Sequence, residues 1–114
     1  MKRFWAAFRN TFDGINWAAR HEIAVLQELA ALALAIPLSF FVTNSPWTRV
    51  ALIGAVILVL VVELLNTAIE KLCDHLAPEK STQIKVVKDL GSAAVFFSIV
   101  IAAAVWLIVV AHGL

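Results

Sequence analysis

Three apolar stretches, each interrupted by short polar segments, follow an amphipathic beginning. In the first twenty residues Phe4, Phe8, Phe12 and Ile15 recur at spacings of three and four, with Trp5 beside them, while Lys2, Arg3, Arg9, Asn10 and Asp13 take most of the remaining surface. This pattern predicts a helix over 2–20 lying in a membrane interface, weakened or broken at Gly14. Residues 23–42 form the first spanning candidate, almost wholly apolar from Leu29 onward, with Pro37 inside it and Glu22, Gln27 and Glu28 at its headgroup end. A turn at Thr43-Asn44-Ser45-Pro46 leads past Trp47, an interface anchor, into a second span over 50–73. A polar connection from Asp74 to Lys85 precedes a third helix beginning near Ile84 and spanning 87–110. Each run holds about 20 residues, the length needed to cross roughly 30 Å of hydrocarbon.

Composition points the same way. The chain has 114 residues, enough for one domain, and is 62% hydrophobic with a mean hydropathy of +0.92. An ordinary soluble domain of this size needs more charge on its surface. The net charge of +1 and the lack of any basic run give no footing for nucleic acid, and Cys73 as the sole cysteine rules out an intrachain disulfide. The three histidines are scattered without zinc-site spacing. Lys2, Arg3, Arg9 and Arg20 precede the first span and Lys71, Lys80, Lys85 and Lys88 surround the second connection, against only Arg49 at the first. The positive-inside rule therefore places the N-terminus and the 74–90 loop in the cytoplasm and the C-terminus in the periplasm.

Against this apolar background Glu63, Asn66, Glu70 and Asp74 fall on one stripe of the second span. Acids inside membrane helices are costly and usually face a bundle interior or a cavity. Glu70 and Asp74 fit near the headgroups, and Asp74 reads best as a solvated helix-end charge; Glu63 lies deeper. Three more polar groups belong at the same depth: Glu22 with Gln27 and Glu28, Lys88-Asp89 with Ser92, and Arg3 with Arg9. Carboxylate and amide oxygens suit Mg²⁺, lysine and arginine suit phosphate, and a remaining carboxylate can take a proton from a hydroxyl. These are the parts of phosphoryl transfer, although the chain contains neither a Walker A sequence nor a kinase glycine-rich loop. A different class fits the acid stripe alone: a small transporter or channel subunit with Glu63 and Glu70 lining a cation path. Such a path has little use for Lys88, Arg3 and Arg9.

Glu63-Leu64-Leu65-Asn66-Thr67-Ala68-Ile69-Glu70 resembles the E-x-x-N-[ST]-A-I-E signature of the small bacterial integral-membrane diacylglycerol kinases. Lys88-Asp89-Leu90-Gly91-Ser92-Ala93-Ala94-Val95 resembles their K-D-x-[GA]-[SA]-A-A-V segment, and the Glu22…Gln27-Glu28 spacing matches the Gram-negative form. The resemblance covers nearly the whole chain. It implies an all-α membrane protein with an interfacial helix and three transmembrane helices, a homotrimer with active sites shared between subunits, transferring the γ-phosphate of MgATP to the hydroxyl of diacylglycerol in the bacterial inner membrane. By position, it implies that Glu63 is the general base and that Glu22 and Glu70 hold Mg²⁺. Arg3, Thr11, Glu22, Glu70, Lys88 and Asp89 would then meet the nucleotide, with Asn66, Glu28, Gln27 and Ser92 supporting the site or the lipid. His21, Asp13 and the 76–84 segment depart from the family pattern, so no adenine contact is carried over. Undecaprenol is the alternative lipid alcohol, used by related small kinases.

Overall fold

The computed structural model describes residues 1–76 and 81–113 as four α-helices. They are α1 Lys2–His21, α2 Ile23–Val42, α3 Pro46–Leu76 and α4 Thr82–His112. The last three are long and apolar enough to cross a membrane. α3 is the centre of the bundle, packed on α2 along one side and on α4 along the other, while α1 contacts α2.

Local chemistry accounts for the boundaries. α1 passes straight through Gly14, contrary to the break expected there, because one helical glycine costs only about 1 kcal/mol relative to alanine and nineteen other residues propagate the helix. At Glu22 the backbone turns extended, φ −124° and ψ 112°, so this single residue caps the end of α1 and the start of α2. α2 keeps Pro37 within it; the ring removes one backbone donor, and nearby Ser39 donates from Oγ to the Ile36 carbonyl at 2.7 Å. α3 begins on Pro46, a residue suited to the first helical turn, after Ser45 Oγ accepts from Thr48 N at 3.3 Å. The same turn is tied by Arg49, which donates from Nη2 to the Thr43 carbonyl at 3.1 Å and lies 4.3 Å from the Phe40 ring centroid.

Two helices outrun their expected spans. α3 and α4 each contain 31 residues, about 46 Å at 1.5 Å per residue, which exceeds the hydrocarbon thickness of roughly 30 Å. Of the polar connection expected from Asp74 to Lys85, positions 74–76 and 82–85 are helical. Asp74–Leu76 finishes α3, and Thr82 opens α4 on a Ser81 cap whose Oγ accepts from Ile84 N at 3.2 Å. Polar residues leave the hydrocarbon without leaving the helix. Residues 77–80, the rest of the divergent connection, lie outside the described residues.

The bundle is thin. Its fully buried large side chains are Leu52 and Val25, whereas Phe40, Phe41, Leu65, Phe96, Phe97 and Leu107 are exposed. Apolar side chains facing outward on three spanning helices belong against lipid or a neighbouring subunit. A hydrogen bond between distant parts of the chain helps to fix α4 against α3: the Trp106 indole donates from Nε1 to the Leu52 carbonyl at 3.0 Å. Trp106→Phe is expected to lower stability by about 1 kcal/mol, the range for a hydrogen bond between membrane helices, which thermal unfolding in detergent micelles checks.

Candidate active site

The acid stripe on α3 is buried where it matters. Glu63 is 8% exposed and Asn66 6%, in a helix otherwise lined by Val, Leu and Ile. The helical repeat alone brings the next pair together: Asn66 donates from Nδ2 to Glu70 Oε1 at 2.7 Å, four residues along. Glu63 also sits within electrostatic reach of Glu28, Glu70 and Glu22. Among the described residues no lysine or arginine forms an ion pair with Glu63, so it is not a structural salt-bridge partner.

Glu22 arrives from the junction of α1 and α2, and Lys71 holds it: Lys71 Nζ lies 2.8 Å from Glu22 Oε1. Glu28, one and a half turns into α2, has its Oε2 buried without a hydrogen-bond partner among the described residues, as does Asn66 Oδ1. Gln27 is exposed and lines, with Glu28, Val59 and Trp106, a cleft of about 400 Å³ on the α2–α3–α4 side.

The phosphate candidates stand at the polar end of α3 and α4. Lys88 Nζ donates to Asp74 Oδ1 at 2.8 Å; Asp74 is exposed near the end of α3, the solvated helix-end charge expected, and has this lysine as its partner. Asp89 accepts from Lys85 Nζ at 2.6 Å, an i,i+4 pair on α4. Lys88 and Asp89, with Ser81 and Thr82, border an open cleft of about 530 Å³.

Other expected members are not drawn in by this chain alone. Arg3 is exposed on the first turn of α1, and Ser92 is exposed on α4. Thr11 donates its hydroxyl to the Ala7 carbonyl at 2.9 Å and lines a cleft of about 560 Å³ between α1 and α3, with Lys71, Trp17 and Thr67.

Two residues matter more than their sequence context suggested. Gly91 is buried against Asn66, and a Cβ at this position would run into Asn66 Oδ1. Its place in a Gly-Ser-Ala-Ala run marked it only as a small packing residue. Lys71 read as one of several cytoplasmic lysines; adjacency to Glu70 was the only local hint that it belongs to the acid cluster.

Glu22, Glu63, Glu70 and the orphaned Asn66 Oδ1 supply oxygens and few protons, which fits a hard divalent ion. Among the described residues no three His, Cys, Asp or Glu side chains converge closely enough to hold an ion by themselves. Magnesium commonly takes only one or two carboxylates and completes its shell with phosphate oxygens and water, so the donor set fits.

Residues 9–110 match the family model described as prokaryotic diacylglycerol kinase. The diacylglycerol kinase of Escherichia coli strain K12 is 38% identical over 98 residues, covering 86% of this chain and 80% of that protein. The diacylglycerol kinase of Pseudomonas aeruginosa is 34% identical over 106 residues, 93% of this chain and 86% of its own. That of Haemophilus influenzae is 33% identical over 96 residues, 84% and 81% respectively.

Proposed function

The chain belongs to the prokaryotic diacylglycerol kinase family, and from that membership we propose that it transfers the γ-phosphate of MgATP to the hydroxyl of diacylglycerol, yielding phosphatidic acid. Membership in a kinase family sets aside the channel-subunit alternative. The observation that carries the finer reading is the buried Glu63 carboxylate, free of any ion pair among the described residues and one turn from the Asn66–Glu70 pair.

In this reading Glu63 takes the proton of the lipid hydroxyl as its oxygen attacks the γ-phosphorus. The new P–O bond forms while the bond to the departing ADP breaks, and the proton stays on Glu63 until solvent removes it. Glu22 and Glu70 would hold magnesium, with Asn66 orienting Glu70, and a divalent ion held there would supply neutralisation of phosphate charge. Lys88 turns from Asp74 to phosphate, and Arg3 adds positive charge from α1. Asp89 and Thr11 border the nucleotide, while Glu28, Gln27 and Ser92 line the acceptor side.

Aromatic residues on α1 support an interfacial position for that helix. Phe4, Trp5, Phe8 and Phe12 are all exposed, and the last three meet edge to face, with ring centroids 5.9 Å apart for Trp5–Phe8 and 4.9 Å for Phe8–Phe12. Such a ridge is suited to the acyl boundary. The cytoplasmic polar end then carries the site, in the inner membrane of a bacterium. A homotrimer with shared sites accounts for Arg3 and Ser92 standing apart from Glu63 within one chain, and for the apolar outer faces.

The test is phosphate transfer from labelled ATP in mixed micelles across a panel of lipid alcohols. Mg²⁺-dependent labelling of diacylglycerol, well above that of undecaprenol, is expected. Preference for undecaprenol would move the substrate assignment, and no labelling of either would overturn it.

A further inference from the structure

We propose that Lys71 is a displaceable counter-cation of Glu22, holding this carboxylate until a divalent cation takes its place and then swinging off the Trp17 ring toward solvent. The proposal rests on the reading of Glu22 as a metal ligand.

Lys71 directly follows Glu70 on α3, so its ammonium enters the acid cluster from the cytoplasmic side. It meets Glu22 Oε1 at 2.8 Å and lies 5.7 Å from the Trp17 ring centroid. Trp17 in turn stacks on His21, with centroids 4.4 Å apart and planes 17° from parallel, and its carbonyl is 2.8 Å from His21 Nδ1. One flexible ammonium thus bridges α3 to the indole of α1 and to the residue that joins α1 to α2.

A magnesium ion on Glu22 requires an oxygen at about 2.0–2.1 Å. An ammonium already on that carboxylate would then sit a few ångströms from a doubly charged ion, and the two repel. Lys71 is the partner that can yield. Its side chain is half exposed, at 50%, against 27% for Glu22, and it has four rotatable carbons. Released from Glu22, the ammonium has water beside it to meet. Lys71 therefore competes with the metal and weakens its binding, while offsetting the repulsion between Glu22 and the other carboxylates before the metal arrives.

Lys71→Met should bind the magnesium complex of a non-hydrolysable ATP analogue about two- to fivefold more tightly than wild type, the range set by a partly exposed ion pair. Lys71→Arg, which keeps the charge, should stay close to wild type. Isothermal titration in detergent reads the affinity. A second readout uses protein in which Trp5, Trp47 and Trp106 are replaced by Phe, leaving Trp17 as the reporter. The magnesium complex should shift Trp17 emission when Lys71 is present and not in Lys71→Met; the analogue without magnesium should leave it unmoved. Equal or weaker binding by Lys71→Met, or a silent Trp17, overturns the proposal alone: weaker binding would make Lys71 a phosphate ligand instead. Should Glu22→Gln bind the magnesium complex as wild type does, the metal assignment fails and the proposal with it.

Discussion

Glu63→Gln is expected to lower turnover by about 100- to 10,000-fold, the usual contribution of a positioned general base, while the protein remains folded. The replacement keeps size and shape in a site that is 8% exposed, and it removes a charge from an apolar helix packed between α2 and α4. An amide in place of a carboxylate in this apolar segment costs no more to bury. Loss of activity should therefore come without loss of stability, and the melting temperature in micelles should hold or rise. Binding of the magnesium–nucleotide complex should persist, since the proposed base would act on the lipid hydroxyl rather than on ATP. Radiolabel transfer measures the first outcome and calorimetry the others. Turnover near the wild-type rate would remove Glu63 from the base role and leave the acid stripe without its chemical purpose.

The second large effect comes from a residue with no side chain. Gly91 on α4 faces Asn66 on α3, and a methyl group there would collide with Asn66 Oδ1. Asn66 is 6% exposed, so its amide has little room to retreat. Moving it strains a rotamer by about 0.5–1.5 kcal/mol and breaks the 2.7 Å bond to Glu70, a hydrogen bond to a charged group worth about 1.5–3 kcal/mol. Glu70 would then lose the group that orients it. Outer partners of metal ligands typically contribute about 10- to 100-fold to affinity or activity, and Gly91→Ala should cost that much, mainly as a higher magnesium requirement. A double-mutant cycle identifies the route. If Gly91 acts through Asn66, the Asn66→Ala, Gly91→Ala double variant is no worse than Asn66→Ala alone. Additive losses would place the effect in helix packing and not in the site.

The bundle also shows how a thin monomer can carry a costly constellation. Three ion pairs, Lys71–Glu22, Lys85–Asp89 and Lys88–Asp74, engage a candidate metal ligand, a candidate nucleotide residue and a candidate phosphate lysine respectively. Each pair has at least one half-exposed partner, and such pairs are weak in water. They can exchange for phosphate or magnesium at small cost. Glu63, by contrast, has no basic partner among the described residues to exchange, as suits a group kept for proton transfer.

Local order was legible in the sequence because it depends on local rules. Apolar runs of sufficient length must become helices in lipid, where backbone groups can be satisfied only internally, and α2, α3 and α4 follow from that. The stripe of Glu63, Asn66 and Glu70 is a consequence of the helical repeat, and so is the Asn66–Glu70 hydrogen bond. Polarity misled over 74–76 and 82–85, since a helix end in headgroups or water reads like a connection, and at Gly14, where one permissive residue did not outweigh its neighbours. What the tertiary structure alone decided is which faces meet. A helix that is apolar nearly all round, as α4 is, carries little information about its rotation or axial register, so nothing in its pattern pointed Gly91 at Asn66, Trp106 at the Leu52 carbonyl or Lys88 at Asp74. The Lys71–Glu22 contact joins residues almost fifty positions apart through a one-residue bend, and a contact of that kind exists only once the helices have packed.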